Sequence, residues 1–152
     1  MSRAVSRGFT LLELLVVIAI MALATAGVSL AMRDSSQTAL ERDAQRLAVL
    51  FESARAQSRA SGVAVVWHST EQGFQFEGLP GNALPTAWLT SGTTARAVLG
   101  TAAVVALGPE PIIGPQAIDV VSAALPGEAG AGQVLRVATD GLRPFTVQAV
   151  VP

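Results

Sequence analysis

From Phe9 to Met32 the chain reads FTLLELLVVIAIMALATAGVSLAM, an apolar run with a single charge, Glu13. A run of this length can cross a bilayer as a helix, which takes about 20 consecutive apolar residues. An ionised group in such a span costs roughly 2.5–3.5 kcal/mol at the bilayer centre and less near an interface, so Glu13 calls for a counter-charge. Gly8-Phe9 suggests its source. A cut between these two residues makes Phe9 a new amino terminus close to Glu13, and the two charges could pair within one chain or between neighbouring chains.

Met1 to Gly8 carries Arg3 and Arg7 and no acid. The positive-inside tendency then leaves this end in the cytoplasm and sends the rest outward. Two plainer readings compete. Ala24-Thr25-Ala26 offers a small-residue cleavage site of the ordinary secretory kind, although a Glu within the apolar core of such a signal is unusual. The other is an uncut signal anchor with an incidental Glu.

The chain has 152 residues, 51% of them hydrophobic, and a mean hydropathy of +0.50. These values describe one small domain plus a membrane segment. Beyond the first three dozen residues about 115 remain, enough for a core that buries roughly 60–70% of the unfolded surface. Every basic residue is Arg and the net charge is -1. No basic field dominates, so nucleic acid is not an expected partner. There is no cysteine, which excludes a disulfide scaffold and any thiolate metal site.

The helix is expected to continue past the polar stretch Arg33 to Gln37. Gly27 and Ser29 are weaker helix formers within it. Beyond, Leu40, Ala44, Leu47, Phe51 and Ala54 recur at helical spacing and form one apolar face. Glu41, Arg42, Asp43, Gln45, Arg46, Glu52, Arg55 and Arg59 read as a solvated or subunit-facing flank with local pairs such as Glu52 with Arg55. Ser61-Gly62 ends the helix. The period then changes to two. Val63–Trp67 and Gly73–Glu77 are expected strands joined by a polar turn, His68–Gln72. Thr86–Thr90 is a candidate strand, Ser91–Arg96 a loop, Val98–Leu107 a β-prone run containing Gly100, and Ala117–Ala124 is ambiguous. Pro126–Gly132 is a glycine-rich loop without a nucleotide-binding context. Val134–Thr139 and Phe145–Val150 flank Asp140-Gly141, the strongest hairpin signal. The order, a long helix and then antiparallel strands, gives an α+β fold with the outer half of the helix on a sheet.

The basic leader ending in Gly8, followed by Phe9-Thr10-Leu11-Leu12-Glu13 at the head of the apolar run, resembles the type IV prepilin signature of pilins and type II secretion pseudopilins. The resemblance implies cleavage after Gly8 by prepilin peptidase, N-methylation of Phe9, and a role for Glu13 in filament assembly. It implies a leader at 1–8, a transmembrane helix at 9–32, an amphipathic continuation at 33–61 and a periplasmic β-rich domain at 62–152. More loosely, RLAVLFESARAQSRASGVAVVW and the closing VLRVATDGLRPFTVQAV resemble the H-type minor pseudopilins. Two features favour a pseudopilin over a major pilin: the lack of cysteine, and Leu30 where many pilins carry a kinking proline. The expectation is a minor subunit of a type II secretion pseudopilus in a Gram-negative inner membrane. Its implied partners are other major and minor pseudopilins, the prepilin peptidase, the inner-membrane assembly platform, the lipid bilayer and secreted exoproteins as cargo. The alternative is a minor type IV pilin acting in pilus assembly or DNA uptake, with Arg136 and Arg143 as the local hint.

Material for an active site is poor. His68 is the one histidine, Tyr and Lys are absent, and no nucleophile motif or metal-spaced cluster occurs. His68 reads as a solvated turn residue, Trp67 and Trp88 as core, and Asp140 as a turn residue. No enzymatic activity and no cofactor are expected.

Overall fold

The computed structural model describes residues 10–98, 102–123 and 132–150, and only the backbone of 29–34. Gly8, Phe9, Leu30, Gly100 and nearly all of the 126–132 loop therefore lie outside the described residues or side chains. The chain divides into two units, Met1–Ser35 and Ser36–Pro152. One helix, α1 (Leu11–Ser61), contributes to both. No proline interrupts it, and Gly62, at φ +68°, accepts the left-handed turn that ends it, its N–H donating to the Ser58 carbonyl at 2.9 Å.

In the second unit α1 is followed by β1 (Val66–Thr70), β2 (Gly73–Glu77), β3 (Thr94–Ala97), β4 (Val104–Ala106), β5 (Gln116–Val121), β6 (Val134–Thr139) and β7 (Thr146–Ala149). These form two antiparallel sheets, ordered β2-β1-β4 and β3-β5-β6-β7. The fold is α+β, as expected, with two sheets where one was expected. Leu40, Ala44, Leu47, Phe51 and Ala54 do form the buried helix face, joined by Ala48 and Leu50. They pack with Val65, Trp67, Phe74 and Val105 near the first sheet, and with Ile118, Val120, Val137 and Phe145 near the second. Each large side chain so buried contributes roughly 1.5–3 kcal/mol.

The expected solvated flank of α1 needs correction. Arg42, Gln45 and Arg59 are exposed, but Asp43 and Arg55 are buried. Asp43 accepts hydrogen bonds from the Leu89 N–H (2.7 Å), the Thr90 N–H (3.1 Å) and the Thr93 hydroxyl (2.9 Å). Glu52 pairs with Arg55 as expected, at 3.3 Å, and also accepts from the Phe145 N–H at 3.0 Å. Arg46 donates to the Ala87 carbonyl at 2.8 Å. These contacts explain why Thr86–Thr90 is no strand: two of its N–H groups are taken by a helix carboxylate, leaving no regular ladder.

The strand boundaries also shift. β1 begins at Val66 and runs through Thr70, so the turn is only Glu71-Gln72 and His68 lies mid-strand between Gln75 and Val104. β3, whose first three residues fall in the expected 91–96 loop, pairs with β5. The ambiguous 117–124 segment contains most of β5, a central strand. The terminal hairpin is present, but its connection is longer than a two-residue Asp-Gly turn. Asp140 accepts from the N–H groups of Leu142 (2.9 Å) and Arg143 (2.7 Å), while the Thr139 hydroxyl donates to the Arg143 carbonyl at 2.6 Å. Gly141, at φ +91°, sits against the Ile113 carbonyl where no Cβ fits.

Two measurements test these anchors. Asp43→Ala leaves three donors without their acceptor, and hydrogen bonds to a charged group are worth about 1.5–3 kcal/mol. Urea unfolding of the detergent-solubilised chain should show a loss of about 3 kcal/mol, with Asp43→Asn milder; a loss below about 1 kcal/mol contradicts the anchoring role. The second concerns Asp140, whose carboxyl is held below the usual aspartate range by the N–H groups of Arg143 and then Leu142. Its stabilising contribution is complete above the unfolded value of about 3.9 and is lost as pH falls from there through the lower folded value. The stability difference between the wild type and Asp140→Asn should therefore shrink as pH drops below about 4. A carboxyl that titrates by NMR at or above the ordinary value overturns this.

Candidate functional site

The first unit is dominated by the apolar part of α1. Leu11–Val28 is long and apolar enough to cross a membrane, by length and composition. Leu11, Leu12, Leu14, Leu15, Ile18, Ile20, Met21 and Leu23 are all exposed, and since these positions go right round the helix, no single stripe is apolar. A helix that is apolar on every side is stable against hydrocarbon, whereas a helix on a protein core needs only one apolar face. Thr25 turns its hydroxyl inward, donating to the Met21 (3.0 Å) and Ala22 (2.9 Å) carbonyls, so its polar atom is satisfied within the helix.

Glu13 lies in the first turn of this helix. Its N–H donates to the Thr10 hydroxyl at 3.2 Å, and the Leu14 N–H donates to the Thr10 carbonyl at 3.2 Å. Thr10 is thus the N-cap. Thr10-x-x-Glu13 has the spacing of a capping box, in which the acid stands at the third helical position near the positive end of the helix dipole. Thr10 is a site residue that the lone charge in the apolar run does not by itself single out. Its sequence signal is a threonine three residues before the acid. Gly8 and Phe9, the expected cleavage pair, lie outside the described residues.

The other residues considered from the sequence are scattered over the second unit. Trp67 is fully buried and Trp88 packs beside the core, with Phe74 between them: its ring centroid lies 5.9 Å from Trp67 and 4.8 Å from Trp88. His68 is half-buried in β1. Asp140 organises the terminal hairpin loop. Arg136 lies 2.9 Å from Asp119 and Arg143 lies 3.6 Å from Asp140, so each of the two arginines suggested as a DNA contact already has a carboxylate partner. Among the described residues no group of three His, Cys, Asp or Glu side chains is placed to hold a metal ion.

No curated protein and no solved structure matches the chain. Residues 3–29 match the family model of the prokaryotic N-terminal methylation motif, so the match takes in Gly8, Phe9, Thr10 and Glu13 and reaches the end of the apolar helix. That motif is a type IV pilin-like prepilin signal. It implies processing by a prepilin peptidase and assembly with other pilin-like subunits, and together with one apolar N-terminal helix it suits a single-pass inner-membrane anchor.

Proposed function

We propose that the protein is a minor pseudopilin of a type II secretion system, of the H type. In this reading residues 1–8 are removed between Gly8 and Phe9, and Phe9 is N-methylated. Residues 9–32 span the inner membrane, 33–61 continue the helix, and 62–152 stand in the periplasm. The observation that carries the proposal is the lone carboxylate of Glu13 placed just after a Gly-Phe junction, inside a match to the methylation motif. The membrane helix holds the subunit in lipid until assembly. Glu13, needing a counter-charge, favours a place beside the amino terminus of a neighbour, and apolar helix faces then pack together. The finer assignment draws on the H-like passages, on the absence of cysteine and on Leu30. Such a subunit acts by assembly near the tip of a short pseudopilus that moves folded proteins outward, and performs no catalysis. The reading as a DNA-binding minor pilin has less support, because Arg136 and Arg143 are both paired with acids.

Intact mass and N-terminal sequencing of the membrane-extracted protein should find a mature chain starting at N-methylated Phe9. Any other start removes the proposed ammonium and the reading with it. In the second test, Glu13→Ala should leave the folded domain intact by circular dichroism while reducing co-purification with partner pseudopilins and lowering secretion about tenfold or more, the effect of losing an interaction worth roughly 1.4 kcal/mol. Normal co-purification and normal secretion would count against an assembly role.

A further inference from the structure

On the face of the four-stranded sheet opposite Ile118, Val120 and Val137, strand register sets side chains in rows. Arg96, Asp119, Arg136 and Gln148 stand directly across from one another on β3, β5, β6 and β7. Asp119 is buried under two guanidinium groups. Arg136 grips it with two contacts, Nε at 2.9 Å and a terminal nitrogen at 3.4 Å. Arg96 reaches it only at 3.7 Å, and its side chain stays 55% exposed. Two cations over one anion leave a positive charge at the β3 end of the row.

The adjacent row on the same face has Ala117 opposite Ala138. These small side chains floor an open depression of about 370 Å³ whose walls include Val98, Val104 and Pro115. The β4 wall is fixed, because the Gln116 amide accepts from the Ala106 N–H at 2.7 Å and donates to its carbonyl at 2.8 Å. The result is an apolar groove with a half-free arginine on its bank. Neighbouring positions on one face of a strand lie about 7 Å apart. The groove therefore suits an apolar side chain that has a carboxylate about that far away.

The chain itself displays such a pair. Between the buried Leu107 and Ile113 the loop turns outward, leaving Glu110 exposed and Ile112 67% exposed on either side of Pro111. Two residues of extended chain span about 7 Å, the same interval. Pro109 and Pro111 restrict the loop, which lowers the entropy lost on docking.

We propose that the groove receives the Glu110-Pro111-Ile112 loop of a second copy of this chain, with Ile112 over Ala117 and Ala138 and Glu110 against Arg96. Pro115, on the groove wall, follows closely after Ile112 in the chain, so loop and groove adjoin on each copy. A single two-fold axis then makes both contacts twice, as an isologous interface requires. The contact is separate from the membrane helix and independent of which secretion or pilus system the chain serves.

The chain has no cysteine, so single cysteines report on the contact in the full-length protein in detergent micelles. Mixing Ile112→Cys with Ala138→Cys under mild oxidation should give a 112–138 disulfide between copies, identified by peptide mass spectrometry. Val49→Cys, on the exposed side of α1, replaces Ala138→Cys as the control and should give little product. Adding Glu110→Arg to the Ile112→Cys chain should cut the yield about fivefold, as expected for loss of an exposed ion pair. Adding Arg96→Glu to the Ala138→Cys chain should then restore it. If circular dichroism shows that Arg96→Glu unfolds the chain, the Glu110→Arg result decides alone, since Glu110 is exposed. An unchanged yield with Glu110→Arg, or equal cross-linking to position 49, overturns the proposal.

Discussion

Phe51 is the contact on which the second unit depends. Its ring is fully buried and meets Trp67 of β1 edge-on at 5.3 Å and Phe145, just before β7, at 4.8 Å. Trp67 belongs to the three-stranded sheet and Phe145 adjoins an edge strand of the four-stranded one, and among the described residues no strand ladder joins these two sheets. One helix side chain therefore closes a gap that backbone hydrogen bonding leaves open. Edge-on aromatic pairs add about 0.5–1.5 kcal/mol beyond area burial. Against this stands the Trp67 Nε1, buried with no hydrogen-bond partner among the described residues, at a cost of about 1–3 kcal/mol. Burial of the large ring outweighs it. The Gln116 amide, paired with both backbone groups of Ala106, and the Ser69 hydroxyl of β1, which donates to the Ala95 carbonyl of β3 at 3.4 Å, are polar links between the sheets.

The apolar face of α1 was legible in the sequence because Leu40, Ala44, Leu47, Phe51 and Ala54 obey a period that only a helix satisfies. The helix end was legible because Gly62 takes a backbone angle that other residues resist. The terminal hairpin was legible because alternating strands flank a glycine-containing turn. What failed was anything decided by partners distant in sequence. Asp43 looks like any surface acid until the 89–93 segment folds over it. Thr94-Ala95-Arg96-Ala97 alternates, but over four residues only and with nothing larger than alanine at its apolar positions, and it becomes a strand because β5 offers it a ladder. His68 opens a polar stretch that reads as a turn, yet Trp67 and Phe74 must both face the core, and that places the turn at Glu71-Gln72.

The same contrast holds for the candidate site. The charge of Glu13 in an apolar run needs no tertiary structure to be noticed, because the conflict between a carboxylate and hydrocarbon is written in composition alone. The groove on the outer sheet face could not be read in this way. Ala117 and Ala138 are unremarkable in sequence, and only the β5–β6 register sets them side by side with Arg96 at one end of the neighbouring row.

The magnitudes around Glu13 show why local structure alone does not settle its charge. A carboxylate in the membrane interior costs roughly 2.5–3.5 kcal/mol, less toward the interface. A place in the first turn of a helix returns about 0.3–1 kcal/mol through the dipole. The cap formed by Thr10 contributes about 0.5–2 kcal/mol, but it acts through the Glu13 N–H and so steadies the helix end whether or not the side chain is charged. The dipole therefore offsets only part of the cost of the charge. For the group to remain ionised the remainder has to come from a cation, and the first unit offers none within its apolar span. Under the proposed cleavage, an ammonium on Phe9, in the same chain or in a neighbouring subunit, would supply that cation close to the acid, which is the physical link between Glu13 and the Gly8-Phe9 junction in that proposal.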